Sequence, residues 1–169
     1  WPVQVSGSGR LPAVRRYPHV LASLPALQAR ASGQALLSAA LEGGVARQVS
    51  LVQAVNDALL PTLSVELLRV ATGAGPVGLE VRGSDAVAVS VADLRIPVQR
   101  DAAVWVPYAR FSQARYLSAR EVLGGRMPPE RIENRIVIVA VTGLGLLDYK
   151  TTALGESVPG VDVHAQLIE

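Results

Sequence analysis

Apolar and polar positions recur along this chain at two periods, and the changes of period outline its elements. Trp1 to Ser6 alternates like a strand, which the glycines from Gly7 to Gly9 are expected to end. Val20 to Arg30 has helical spacing, with Pro25 as a start or a kink. Ala35–Ala40 and Val45–Gln53 read as strands joined by a turn in which Gly43 and Gly44 supply positive φ. Thr62 to Ala71 fits an amphipathic helix, because Leu63, Leu67 and Val70 recur at helical spacing.

Short alternating runs follow at Val77–Val81, Ala86–Val91 and Leu94–Val98, divided by turn residues, which predicts hairpins. Val104–Pro107 is a further short strand. Ser118 and Glu121 stand at capping-box spacing before a short helix that ends at Gly124-Gly125. Arg135 to Val141 is nearly all apolar, the pattern of a strand buried on both faces of a sheet. A long loop, Thr142 to Pro159, leads to a helix from about Gly160. On that helix Val161, His164, Ala165 and Ile168 share one face, so His164 is expected to point inward. The predicted class is α/β, with α+β as the alternative. It has a central sheet built around the buried strand 135–141, helices packed on it and several hairpins.

Composition narrows the function. Half of the 169 residues are hydrophobic, which excludes a disordered chain, and only 4% are aromatic, so the core must be largely aliphatic. The 16 basic and 14 acidic residues give a charge of +2. Arg15-Arg16 is the one tight basic pair, so no nucleic-acid partner is expected. With no cysteine, thiol catalysis, thiolate metal sites and disulfides are excluded. The longest clean apolar run is Ile136–Val141, against the roughly 20 residues a spanning helix needs. The start at Trp1 carries no signal peptide, and the chain reads as excised from something larger.

The loop Thr142–Asp148 follows the most apolar predicted strand, the kind of place where open α/β sheets bind ligands. Its Gly143 and Gly145 allow close backbone approach, but Asp148 occupies the place of a third fingerprint glycine, so no dinucleotide is expected. Neither a P-loop nor a G-x-S-x-G motif is present, and no cofactor is expected. Thr142, Asp148 and His164 can be drawn as a triad, yet nothing in their spacing requires one. No metal site is expected, and a mixed site of His164 with Asp148 or Asp162 is the one combination left open. His164 itself has two readings. It is either a buried imidazole bonded to a backbone carbonyl or a loop group such as Asp148, or a proton-linked switch.

The final fifth, from Asn134 to Glu169, resembles the C-terminal signature of the CHASE domain of the second type. The resemblance rests on Ile136–Val141, Thr142, Gly145–Asp148, Thr151-Thr152 and Pro159–Ala165, and it departs at Ala153, where the family usually has proline. Upstream, Gly44, Val45, Arg47 and Leu51 match a further family block, with Glu42 where aspartate is common, and the later blocks follow in order from about Gly33. The family's opening strand, its WPwpR motif and the following helix have no counterpart here. Residues 1–169 are therefore expected to be one sensory domain lacking its N-terminal portion.

The resemblance implies a non-catalytic signal-input domain on the periplasmic side of a bacterial inner membrane, flanked by transmembrane helices. The output domain would be an adenylate or guanylate cyclase, a histidine kinase or a Ser/Thr kinase. The stimulus would be a small molecule or a protein, and a homodimer is an expected assembly. Arg47, Thr142, Asp148 and His164 are the candidates for ligand binding or signal transmission. Gly44, Gly145, Pro159 and Gly160 are the candidate structural positions. A ligand-free interaction module and a small α/β enzyme are the rival readings.

Overall fold

Turn residues interrupt nearly every apolar run, so the chain forms many short strands and few helices. The computed structural model describes residues 3–9, 12–37, 40–141 and 148–169. In chain order the strands are β1 (Gln4–Gly9), β2 (Arg16–Tyr17), β3 (Ala40–Glu42), β4 (Val45–Ser50), β5 (Val52–Val55), β6 (Ala58–Pro61), β7 (Gly78–Gly83), β8 (Asp85–Val91), β9 (Leu94–Pro97), β10 (Ala103–Trp105), β11 (Tyr149–Thr152) and β12 (Ser157–Pro159). The helices are α1 (Pro25–Gln28), α2 (Leu63–Ala71), α3 (Ala119–Leu123) and α4 (Gly160–Ile168).

Among the described residues these strands build three sheets. One has the order β1-β7-β8-β9, with β1 parallel to β7 and the rest a meander. The second has the order β10-β4-β11-β12, with β3 also on β4, and the third has the order β2-β5-β6. The mixed sheets and separate helices bear out the α/β or α+β class. The predicted hairpins of residues 77–98 form as β7, β8 and β9. The larger core gathers Val52, Val65, Leu79 and Val89, which ties α2 to two of the sheets. A smaller core of Val49, Val106, Val158 and Val163 seats α4 on the second sheet. Burying a valine such as Val163 contributes about 2 kcal/mol.

The strand expected at 135–141 does not form. After a 3-10 turn at Pro129–Arg131 these residues take no regular structure, and Val137, Val139 and Val141 are 50%, 88% and 77% exposed. The centre of the second sheet belongs instead to β4. Because β4 bonds to β3, β10 and β11, and a strand has only two edges, both of its edges are in use. Nothing is left there to receive another strand.

Other differences have local causes. β1 runs through the glycines expected to stop it, since Gly7 at φ +105° lies so close to Val81 that a Cβ would collide with its carbonyl oxygen. The strand expected over 45–53 divides at Leu51 into β4 and β5, in different sheets. Of the strand expected over 35–40, the described residues show a single bridge from Leu36 to Thr62 and, at Ala40, the start of β3. α1 is one turn long and buries nothing. Ser118 has extended N-cap backbone, but its hydroxyl makes no cap bond, and the Glu121 amide goes to the Ser118 carbonyl. The loop expected over 142–159 contains the hairpin β11–β12.

Candidate functional site

α4 starts where expected. Pro159 is its N-cap, with φ preset near the value a helix entry needs, and Asp162 places a negative charge in the first turn. The Gly160 amide donates to the Asp148 carbonyl at 2.7 Å, which fixes β11 to the helix start. A side chain at Gly160 would press on the Asp148 carboxylate, 2.5 Å from the Cβ position. The buried face differs from the expected one. Asp162, Val163, His164 and Gln166 are buried, whereas Val161, Ala165 and Ile168 are only partly so.

His164 is 2% exposed and lies between α4, α2 and the segment before β3. Its Nδ1 is 3.0 Å from Ser64 Oγ, and its Nε2 is 3.4 Å from the Leu37 carbonyl oxygen. A carbonyl only accepts, so Nε2 carries the proton, and Nδ1 accepts from the Ser64 hydroxyl. The same hydroxyl lies 3.3 Å from the His164 carbonyl oxygen, so its one proton is shared between the two acceptors. Burial pushes the imidazole pKa below 6.5, partly opposed by the Leu37 carbonyl and by the charge of Asp148. The result is a neutral imidazole that ties α4 to α2 across 100 residues of sequence.

This pair is not a hydrolytic site. Serine and imidazole are both sealed from solvent, and the imidazole nitrogen that does not meet serine is spent on a main-chain carbonyl. Asp148 does not hydrogen-bond His164, as had been expected of a tether. Its carboxylate is 63% exposed and accepts from Lys150 Nζ at 2.9 Å. Arg47 is elsewhere, donating from Nη1 to the Glu42 carbonyl at 3.0 Å, where it closes the β3–β4 turn with Gly44 at φ +82°. Of the four candidates, then, the fold brings His164 and Asp148 near each other and leaves Arg47 apart. Thr142 and Gly145 lie outside the described residues.

Three features escaped the sequence reading. Ser64 had no local signal, since its partner is far along the chain. Glu66 and Arg69 had one, opposite charges at i and i+3. They form a two-pronged pair, Nε to Oε2 and Nη2 to Oε1, both at 2.8 Å. Arg69 also donates to the carbonyls of Ser32 and Ala74, beside an open cleft of about 260 Å³ that Pro61, Pro76 and Val77 help to line. Third, Asp162 and Gln166 face a polar cluster under the segment after β10. Gln166 Nε2 donates to Asp162 Oδ2 and its Oε1 accepts from the Ala109 amide, both at 2.7 Å. Burial, then the Asp162 charge, raises the phenols of Tyr108 and Tyr116 to about 12. Among the described residues no three histidine, cysteine or acidic side chains group to hold a metal, and no helix is long and apolar enough to cross a membrane.

Comparison with curated proteins and with solved structures returned no match. The model of the CHASE2 domain family matches residues 11–169, which include every strand except β1 and both helices that build the joint around His164. The chain therefore belongs to the CHASE2 domain family, the non-catalytic extracellular sensory domains of signalling proteins.

Proposed function

We propose that this chain is the periplasmic signal-input domain of a membrane-bound bacterial receptor, and that α4 passes the signal towards a membrane helix. The output domain is an adenylate or guanylate cyclase, with a histidine or Ser/Thr kinase as the alternative. The observation that carries this reading is the buried Ser64–His164–Leu37 joint. It binds the last helix to α2 through directional polar bonds in addition to apolar contact. A shift of α2 then either moves α4 with it or breaks specific hydrogen bonds, the discrete behaviour a two-state element needs. Asp148 and Lys150 sit at the start of the same helix and join this transmitting group, whereas Arg47 supports the β3–β4 turn. Ser64→Ala in the whole receptor tests the proposal. Altered basal or stimulated output is expected, and unchanged output under every stimulus that drives the wild type would refute transmission through this joint.

A second reading, dimerisation, is favoured by one observation. Residues 136–141 are apolar, exposed apart from the half-buried Ile138, and free of strand pairing among the described residues, the profile of an association surface. Light scattering of the chain is expected to show a dimer that Val139→Asp weakens. A monomer at high concentration would refute it.

A further inference from the structure

Residues 107–118 cross α4 as a strap whose only regular piece is the 3-10 turn Gln113–Arg115. Side chains anchor it. The Ala109 amide donates to Gln166 Oε1, the Phe111 amide to Glu156 Oε2 at 3.0 Å, and Arg115 Nη2 pairs with Glu169 Oε2 at 2.8 Å. Beneath it, Arg115 Nη1 and the hydroxyls of Tyr108 and Tyr116 are buried with no hydrogen-bond partner among the described residues. Asp162 holds the Tyr116 proton electrostatically without the geometry of a full bond. Three orphaned polar atoms in one segment, two of them beside the Asp162 carboxylate, are unusual in a folded protein, where buried polar groups are nearly always paired.

We propose that the polar cluster between this strap and α4 binds a small free amino acid, its ammonium held by Asp162, Tyr108 and Tyr116 and its carboxylate by Arg115. The inference rests on the sensory reading and names the stimulus class. Charge points the same way. Glu169 pairs with Arg115, which leaves the carboxylates of Asp162 and Glu156 among the strap's contacts and favours an ammonium group. An ammonium has three N–H donors, and a carboxylate and two phenol oxygens supply three acceptors. The rings of Phe111 and Tyr116, 5.3 Å apart and tilted by 37°, add an aromatic wall suited to a cation. The orphaned Nη1 of Arg115 is a donor that an anionic group would satisfy. Phe111 is half exposed, so the strap is accessible from solvent at that point.

The test is thermal melting of the purified chain with glycine or L-alanine up to about 10 mM, a range that captures millimolar affinity. Ethylamine, acetate and trimethylglycine serve as probes lacking the carboxylate, the ammonium and the N–H donors respectively. Glycine or alanine is expected to raise the melting temperature, and the three partial probes to raise it less or not at all. Asp162→Asn abolishes the response. Tyr116→Phe keeps the ring, should fold as the wild type does, and weakens binding about tenfold. No response of the wild type to either amino acid, an unchanged affinity in Tyr116→Phe, or equal binding of trimethylglycine would overturn the site. Such a failure leaves the receptor reading intact, because that reading is tested by output in Ser64→Ala and not by amino-acid binding.

Discussion

Acid should weaken this fold through His164. The imidazole is held neutral, with its pKa pushed below the 6.5 of an unfolded chain mainly by burial. The unfolded state therefore takes up a proton at a pH where the folded state does not. Stability from this group is complete above about pH 6.5 and is lost as pH falls below that value, until the lower folded pKa is reached. The limiting slope is about 1.4 kcal/mol per pH unit. At about pH 5.5 the loss is at most about 1.4 kcal/mol, or roughly 3–6 °C of melting temperature for a chain of this size.

Urea titrations followed by circular dichroism at about pH 7.5, 6.5 and 5.5 measure the slope while staying above the ordinary range of carboxylates. His164→Gln removes the titrating ring, so its stability should change less across the same interval, whatever its absolute value. A flat wild-type profile, or an equal slope in His164→Gln, would show that the joint does not hold the imidazole neutral.

Arg69→Ala should cost about 3 kcal/mol in urea unfolding, because it strands the buried Glu66 carboxylate; adding Glu66→Gln should recover part of that, and no recovery would count against the pairing. Arg95→Ala should cost under about 1 kcal/mol in the same assay, since Arg95 and Glu80 meet at the surface with 55% and 39% of their side chains exposed. Gly7→Ala should cost about 2 kcal/mol or more, from strain at φ +105° and the collision with the Val81 carbonyl; a neutral effect would mean that β1 does not pair with β7 in this register.

What could be read from sequence depended on whether the deciding partners were local. α2 and the β7–β8–β9 meander were legible because spacing and turn residues within about ten positions determine them, although α2 buries Ser64, Val65 and Glu66 and leaves the expected face of Leu63, Leu67 and Val70 partly or largely exposed. The start of α4 was legible for the same reason, through Pro159 and Gly160. Its inward face was not. The periodicity of Val161, Ala165 and Ile168 says only that one side is apolar, while the buried side carries Asp162 and Gln166, whose partners come from the distant segment around Ala109. His164 shows both outcomes in one residue. Its burial followed from the helix pattern, but the tempting partner was Asp148, near in sequence, and the actual one is Ser64.

The segment 135–141 carries this furthest. A run of β-branched residues expresses a demand for burial and pairing, but the sheet edges that answer it are set by the rest of the fold. In this structure β4 has spent both of its edges on β3, β10 and β11. The run is left with most of its side chains in water and, among the described residues, with no strand beside it, so like an exposed edge it offers a template for pairing. The same logic separates the two proposed roles, transmission and association. At α4 the polar demand of His164 is met inside the chain, so that end is rigidly coupled to α2. At residues 136–141 the demand is unmet, so that is where association with another strand gains most. A stimulus that alters packing at α2 would thus be transmitted through a satisfied joint, while assembly would proceed through an unsatisfied one, and Ser64→Ala and Val139→Asp should separate the two by changing output and oligomeric state independently.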